Sequence, residues 1–237
     1  MANSTITAAP ASPFQPVHRI VFLIFLLSFG TTFSLILSRS SSAAFYPLLI
    51  MVLLSAAATT LLSLSQSLPL QNTVAIAFLI GPLSTLLEII NLKTNLPFGH
   101  RVWAGELGPQ LFHLLPWPVP LIWIIVILNS RGFARFLLRR CRNLCNPGLW
   151  SLALASLFAA ILDIGLEHFA AKTHLWLWPE TKITPWYNYF SYAVTSTIIL
   201  LLITPWLINK KPAPQSPPDY HPLVVWLLLL VLLVSQR

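Results

Sequence analysis

The segment GLWSLALASLFAAILDIGLEHFA, residues 148–170, decides the fold class, because it has the length and composition of a membrane span yet contains two acids. A helix crosses about 30 Å of hydrocarbon with roughly 17 to 25 apolar residues. Asp163 and Glu167 lie four residues apart, so both point to one face of the helix. An ionised carboxylate in hydrocarbon costs roughly 2.5 to 3.5 kcal/mol, so such groups face a bundle interior and mark functional sites. The segment predicts a helical membrane protein with a polar internal site.

Composition indicates the same class. Of 237 residues, 56% are hydrophobic and only 8% are charged, which excludes an ordinary soluble domain. The length suits one helical bundle without a separate soluble catalytic domain. The net charge of +8 comes from basic residues at the ends of apolar runs, with no stacking motif between them. Such residues meet anionic lipid headgroups, so membrane lipid is the expected partner and nucleic acid is not.

Six apolar runs are long enough to span a membrane, and a seventh is borderline. The predicted fold is therefore an all-α, polytopic membrane bundle of about seven transmembrane helices with re-entrant or irregular outward loops. The predicted spans are 19–38, 44–64, 72–92, 112–130, 148–170, 187–208 and 220–236.

Four regions follow from this pattern. Residues 1–17 are rich in Ala, Ser, Thr and Pro and predict a disordered segment. Residues 18–208 form the transmembrane domain, within which 74–205 supply the site. Residues 209–219 contain four prolines and predict an extended linker before the C-terminal membrane helix, 220–237. That last helix has a short apolar centre, which fits either a short span or an interfacial helix.

The arginines at 131–142 set the predicted orientation. This loop carries five arginines and no acid, so it should be cytoplasmic. With seven spans, basic residues then number eight on the cytoplasmic side and six on the other, so this loop decides the orientation. Cys141 in this loop and Cys145 just after it have no further ligand nearby, which is typical of free thiols.

Polar residues from four spans share one depth at the outward side of the bundle. Glu88 ends span three, Asp163 and Glu167 lie late in span five, His113 begins span four and Asn188 opens span six. Two interpretations fit: a functional site, or structural pairing of the acids with nearby bases to fix helix packing. The candidate bases are Arg101, Lys172 and His168.

The outward loops are rich in aromatic and helix-breaking residues. An interfacial aromatic belt accounts for many of the tryptophans, which are Trp103, Trp117, Trp176, Trp178 and Trp186. Turn formers at 96–99, 107–109 and 116–120 nevertheless predict irregular backbone at membrane depth, which is tolerated only against protein or a cavity. A re-entrant segment lining a pocket fits this pattern.

Several of these motifs resemble the carotenoid biosynthesis membrane proteins, which include hydratases acting on acyclic carotenoid ends. The resemblance covers residues 74–205 and departs from the family at Asn95, Arg101, Trp103, Glu167-His168 and Ser191-Tyr192. The matching elements are Glu88, Thr94-Asn95-Leu96-Pro97-Phe98-Gly99, Leu107-Gly108-Pro109, Pro120-Leu121 with Trp123, Asp163 with Glu167, Trp176-Leu177-Trp178, and Asn188 with Tyr192.

The resemblance implies an enzyme that hydrates the terminal double bond of an acyclic carotenoid, without a redox cofactor. A carboxylic acid in an apolar pocket can stay protonated near neutral pH and act as general acid. The candidates are Asp163 as proton donor, Glu88 as its partner, and Glu167. Asn188 would orient water or a carboxylate, or cap span six. Aromatic rings stabilise cations through their faces, and the expected substrate contacts are Trp176, Trp178, Trp186, Tyr192, Phe98 and His113.

The implied partners are a lipid-soluble polyene, which enters sideways between helices, and other enzymes of the carotenoid pathway. The implied location is a bacterial or archaeal cytoplasmic membrane. Three alternatives remain: an intramembrane prenyltransferase using Asp-x-x-x-Glu to bind magnesium, a zinc or iron site, and a lipid or isoprenoid carrier. The sequence has one such acidic motif and no His-x-x-x-His spacing, and it lacks an internal repeat, so hydration is favoured and no metal is expected.

Overall fold

The computed structural model describes residues 15–38, 44–104, 107–139, 146–180, 183–207 and 220–235. Within these ranges, six helices are long and apolar enough to cross a membrane, and a seventh is shorter. The predicted all-α polytopic bundle is therefore confirmed. The helices are α1 Gln15–Leu37, α2 Phe45–Ser67, α3 Leu70–Thr94, α4 Val119–Leu138, α5 Pro147–Thr173, α6 Trp186–Leu207 and α7 His221–Val234, and the strands are β1 Val102–Trp103, β2 Gln110–Leu111, β3 Leu115–Pro116 and β4 Trp176–Leu177.

The predicted start of span four is wrong. Residues 112–118 do not belong to the helix, which begins at Val119 after Pro118. Instead β2 and β3 pair as an antiparallel hairpin, and Phe112 and His113 at its turn have positive φ angles of 53° and 58°. Proline lacks an amide hydrogen and clashes with the preceding turn, so a helix starts at a proline and does not run through several.

The predicted arginine-rich loop is also partly helical, because α4 continues to Leu138. Arg131 and Arg135 therefore lie on α4, and Arg139 caps it. Residues 140–145, which include both cysteines, lie outside the described residues. So do the predicted linker 209–219 and most of the predicted disordered segment 1–17, of which residues 15–17 belong to α1.

The short helix α7 packs into the bundle. Its 14 residues would cover about 21 Å at 1.5 Å per residue, less than the thickness of the hydrocarbon. The indole nitrogen of Trp226 donates to the Ser130 hydroxyl of α4 at 3.2 Å, and Val225 is completely buried. The helix is thus held by α4 whatever its depth in the membrane.

Two connecting segments cover the end of the bundle where α3 and α5 finish and α4 and α6 begin, which we call the loop end. Strand β1 pairs with β4, so that Trp103 lies opposite Trp176. The buried Asn91 side chain on α3 accepts hydrogen bonds from the amides of Phe98 and Gly99 at 2.8 and 3.1 Å. A Cβ atom on Gly99, whose φ is +107°, would lie 2.7 Å from the Tyr187 hydroxyl, so this turn requires glycine.

Candidate active site

Three acidic side chains meet at the loop end of the bundle. Glu88 comes from α3, and Asp163 and Glu167 come from successive turns of α5. Each is 1% exposed. They meet because α3 and α5 run in the same direction and each acid lies within the last three turns of its helix. The predicted convergence of acids from separate spans is therefore present in the structure.

Arg101 joins two of these acids. Its Nη2 atom forms an ion pair with Glu88 Oε2, and its Nη1 atom lies 3.6 Å from Glu167 Oε1. The residue lies in the segment between α3 and α4 and is only 5% exposed. Its guanidinium thus connects α3 with α5 inside the protein.

Aromatic rings enclose the Arg101 guanidinium. Its central carbon lies 4.8 Å from the ring centroid of Trp103, 5.5 Å from that of Phe98 and 5.6 Å from that of Trp176. Burial alone would lower the pKa of Arg101, but the negative charges of Glu88 and Glu167 outweigh this and raise the pKa above its ordinary value. Arg101 therefore keeps its positive charge in this enclosed position.

Glu167 is surrounded by hydrogen-bond donors. Its Oε2 atom accepts from the indole nitrogens of Trp176 and Trp178, at 3.0 and 2.9 Å, and from the Thr184 hydroxyl at 3.0 Å. An ionised carboxylate can only accept hydrogen bonds, and each of these contacts suits it. The Trp-x-Trp element of the sequence therefore serves to hold Glu167 in place.

Asp163 has a different environment. The Asn188 side-chain nitrogen donates to Asp163 Oδ2 at 3.2 Å and lies 3.5 Å from Glu167 Oε1. No ion pair among the described residues includes Asp163. Asp163 is thus the one acid of the three that Arg101 does not pair with directly.

An aromatic wall borders Glu88. The indole nitrogen of Trp123, on α4, donates to Glu88 Oε1 at 3.2 Å. The Trp123 ring stacks on Tyr192 with centroids 4.3 Å apart, and Phe98 lies 5.8 and 6.2 Å from these two rings. All three side chains are buried. The acid cluster therefore has a polar part around Glu167 and an apolar part around Trp123.

The structure brings together most of the residues that the sequence singled out. Two lie elsewhere: His113 is exposed on the turn between β2 and β3, and Trp186 is 78% exposed at the start of α6. Of the three bases considered as structural partners, Arg101 is buried in the cluster, whereas Lys172 and His168 are exposed. The residues brought together are Glu88, Asp163, Glu167, Asn188, Trp176, Trp178, Tyr192 and Phe98.

Sequence reasoning missed four contributors or underrated them. Arg101 was considered only as a packing partner and as a departure from the family, and Trp123 only as part of a motif. Asn91 follows Glu88 by three residues and so shares its helix face, which was a usable signal. Thr184 lies in an irregular segment, and no sequence pattern indicates its contact with Glu167.

Seven packed helices in the described part of the chain, six of them long and apolar enough to cross a membrane, define a multi-pass helical membrane protein with a buried polar site. A family model described as "Carotenoid biosynthesis protein" matches residues 45–236, and the chain belongs to that family. The resemblance inferred from the motifs is thus confirmed.

One curated relative is the bisanhydrobacterioruberin hydratase of Haloarcula japonica, which is 26% identical over 119 residues, or 49% of this chain. The match spans only 39% of that protein's length. No solved structure matches the chain.

Proposed function

We propose that the protein is an enzyme that adds water to the terminal double bond of an acyclic carotenoid end. Membership of the carotenoid biosynthesis family supports the substrate class, and the relative's name, a hydratase, supports the reaction type. The acid cluster supplies the chemistry. Adding water to a trisubstituted alkene requires a proton donor, stabilisation of a tertiary carbocation, and a water molecule to capture it.

The unequal pairing of the three acids with Arg101 is the observation that carries this proposal. Three ionised carboxylates beside one guanidinium would bury two uncompensated negative charges, which is costly in a medium of low polarity. Arg101 pairs with Glu88 and Glu167, so a proton on Asp163 reduces this imbalance. Carboxyl pairs in different environments commonly divide into acid and base in this way. Asp163 would protonate the alkene, and Glu88 would take a proton from the attacking water.

The aromatic residues divide between two roles in this proposal. Trp176 and Trp178 donate to Glu167 and act through it. The Phe98, Trp123 and Tyr192 rings border Glu88 and would face the carbocation, an interaction worth about 0.5 to 2 kcal/mol. The long apolar polyene would reach this end of the bundle from the membrane, between helices.

Pigment analysis tests the reaction. Co-expressed with a pathway that makes acyclic carotenoids, the protein should yield a product heavier by one water. Asp163→Asn should abolish this product while the variant remains in the membrane. Asp163→Glu, which keeps a carboxyl group, should retain part of the activity. Glu180→Gln is the matched control, because Glu180 is an acid on the exposed rim, paired with His100, and should leave the yield unchanged.

Two outcomes contradict the proposal at different levels. A full yield of hydrated pigment from Asp163→Asn would show that another group is the acid. An unchanged pigment profile with the wild-type protein, across several acyclic carotenoids, would exclude hydration. That second result would favour a carrier of lipids or isoprenoids.

A further inference from the structure

Helix α6 presents a row of buried polar atoms that have no hydrogen-bond partner in the described part of the chain. They are Asn188 Oδ1, Tyr192 Oη and Ser196 Oγ. The three residues are 0%, 4% and 0% exposed, and they follow one another at intervals of four, so they share one helix face. Buried polar atoms are nearly always hydrogen bonded to protein or water, so a row of exceptions calls for a physical reason.

The first two members of this row belong to the acid cluster. The side-chain nitrogen of Asn188 donates to Asp163. The oxygen of the same side-chain amide therefore also lies beside the acid cluster. The Tyr192 ring stacks on Trp123, whose indole nitrogen donates to Glu88. One unpartnered oxygen thus belongs to a side chain that contacts Asp163. The other belongs to a side chain that stacks on Trp123, the direct neighbour of Glu88.

These oxygens have the complementary hydrogen-bonding character that a bound water needs. A buried water makes two to four hydrogen bonds, and a phenol both donates and accepts while an amide oxygen accepts. When the phenol donates to one lone pair of the water, the other lone pair is free to face a reacting carbon. An apolar ligand alone would leave both oxygens without partners.

We propose that the Tyr192 hydroxyl and the Asn188 amide oxygen bind the water that attacks the carbocation. This inference rests on the proposed hydration. Asp163 gives its proton to one alkene carbon, and the oxygen lone pair of the bound water forms a bond with the resulting cation. The water then releases a proton to Glu88, and transfer of that proton to Asp163 restores the starting state. The net change is addition of one water to the alkene.

A specific defect follows from this role. Without a held water, the cation formed by Asp163 loses a proton from a neighbouring carbon and becomes an alkene again. Tyr192→Phe should therefore separate protonation from hydration. In D₂O the recovered alkene would carry deuterium at the carbon that accepted the proton, although little alcohol forms. A purely structural role for Tyr192 would not produce this separation.

The experiment uses membranes that contain the full chain, incubated with an acyclic carotenoid in D₂O and analysed by mass spectrometry. For Tyr192→Phe we expect hydration to fall about tenfold or more, the size of effect for a lost hydrogen bond to a reacting group. Deuterium should enter the recovered alkene faster than with the wild type, because cations that are not captured by water return to alkene. Retained exchange also shows that the variant is folded. Tyr187→Phe removes a hydroxyl from the same helix outside the acid cluster and should change neither rate.

The possible failures are distinguishable. Hydration by Tyr192→Phe at the wild-type rate would overturn the inference and leave the proposed function intact. Loss of both hydration and exchange from a variant that unfolds at the wild-type temperature would assign Tyr192 to proton delivery and would likewise overturn it. Absence of both reactions in the wild type would instead refute the proposed function, and this inference with it.

Discussion

Arg101 sets the charge of the buried cluster, because its single guanidinium faces three carboxyl groups. It binds Glu88 directly and lies 3.6 Å from Glu167, and it is enclosed by the rings of Phe98, Trp103 and Trp176. The cation therefore gives the three acids unequal environments.

Replacing Arg101 should destabilise the folded protein, and the loss should be larger when the positive charge is removed than when it is kept. Arg101→Gln leaves buried carboxylates without a cation, which typically costs about 3 to 5 kcal/mol, and Arg101→Lys should cost less because it keeps the charge. Adding Glu88→Gln to Arg101→Gln should restore part of the loss. The measurement is the unfolding temperature of the purified protein in detergent.

His100→Gln is the control for this series, because it removes a neighbouring base whose partner, Glu180, is largely exposed. His100 and Glu180 are 40% and 70% exposed, and exposed ion pairs contribute about 0 to 1 kcal/mol. If Arg101→Gln unfolds at the same temperature as His100→Gln, the guanidinium does not stabilise the cluster. The proposed reason for the unequal environments of the three acids would then be wrong.

The acids of the site could be predicted from the sequence, whereas the arrangement around them could not. Asp163 and Glu167 are exceptional within an apolar run, and the cost of burying charge indicates that they face inward. Arg101 and Thr184 lie in irregular segments, where no periodicity fixes the direction of a side chain. His113 was placed with the site because it was assigned to a helix, and the hairpin carries it to the surface instead.

At the scale of elements, hydropathy predicted the helices well and misplaced both ends of one, α4. Six of the seven helices follow the predicted runs closely, because a membrane span needs a minimum apolar length. The predicted span four begins too early because the residues at 111–119 are as apolar as a membrane helix. The three prolines of that predicted span oppose a helix there, and α4 begins only at Val119. Backbone hydrogen bonding, and not apolar character, decides where such a helix starts.

The close contact between α7 and α4 at Gly132 gives a second prediction. A Cβ atom on Gly132 would lie 2.3 Å from Pro222 Cβ, and the proline ring cannot move aside easily. Gly132→Ala should therefore separate the two helices and destabilise the protein by about 1 to 3 kcal/mol, the usual cost of overpacking. Thermal unfolding in detergent measures this loss.

Gly30→Ala is the matched control on α1. A Cβ atom there would meet nothing within 4 Å, and alanine within a helix is about 0.5 to 1 kcal/mol more favourable than glycine. The control should therefore unfold at the wild-type temperature or slightly above it. Equal stability of the Gly132→Ala variant and this control would show that α7 is not packed against α4 as described.

At the scale of the whole molecule, the acid cluster lies at one end of the bundle and the arginines of α4 lie at the other. Glu88 and Glu167 are near the C-terminal ends of α3 and α5, and Arg131 and Arg135 are near the C-terminal end of α4, which runs the opposite way. The polarity of the helices thus separates the proposed reaction from the basic side. If the basic side is cytoplasmic, the proposed reaction takes place near the outer leaflet.

Thiol labelling of intact cells tests this orientation. His113 is exposed at the loop end, so His113→Cys in a chain with Cys141→Ser and Cys145→Ser should react with a membrane-impermeant maleimide from outside. The native Cys141 and Cys145 should react only after the cells are permeabilised, because basic loops are retained in the cytoplasm. The reverse pattern would place the acid cluster at the inner leaflet. The orientation inferred from eight basic residues against six would then be wrong, but the contacts within the acid cluster would be unaffected.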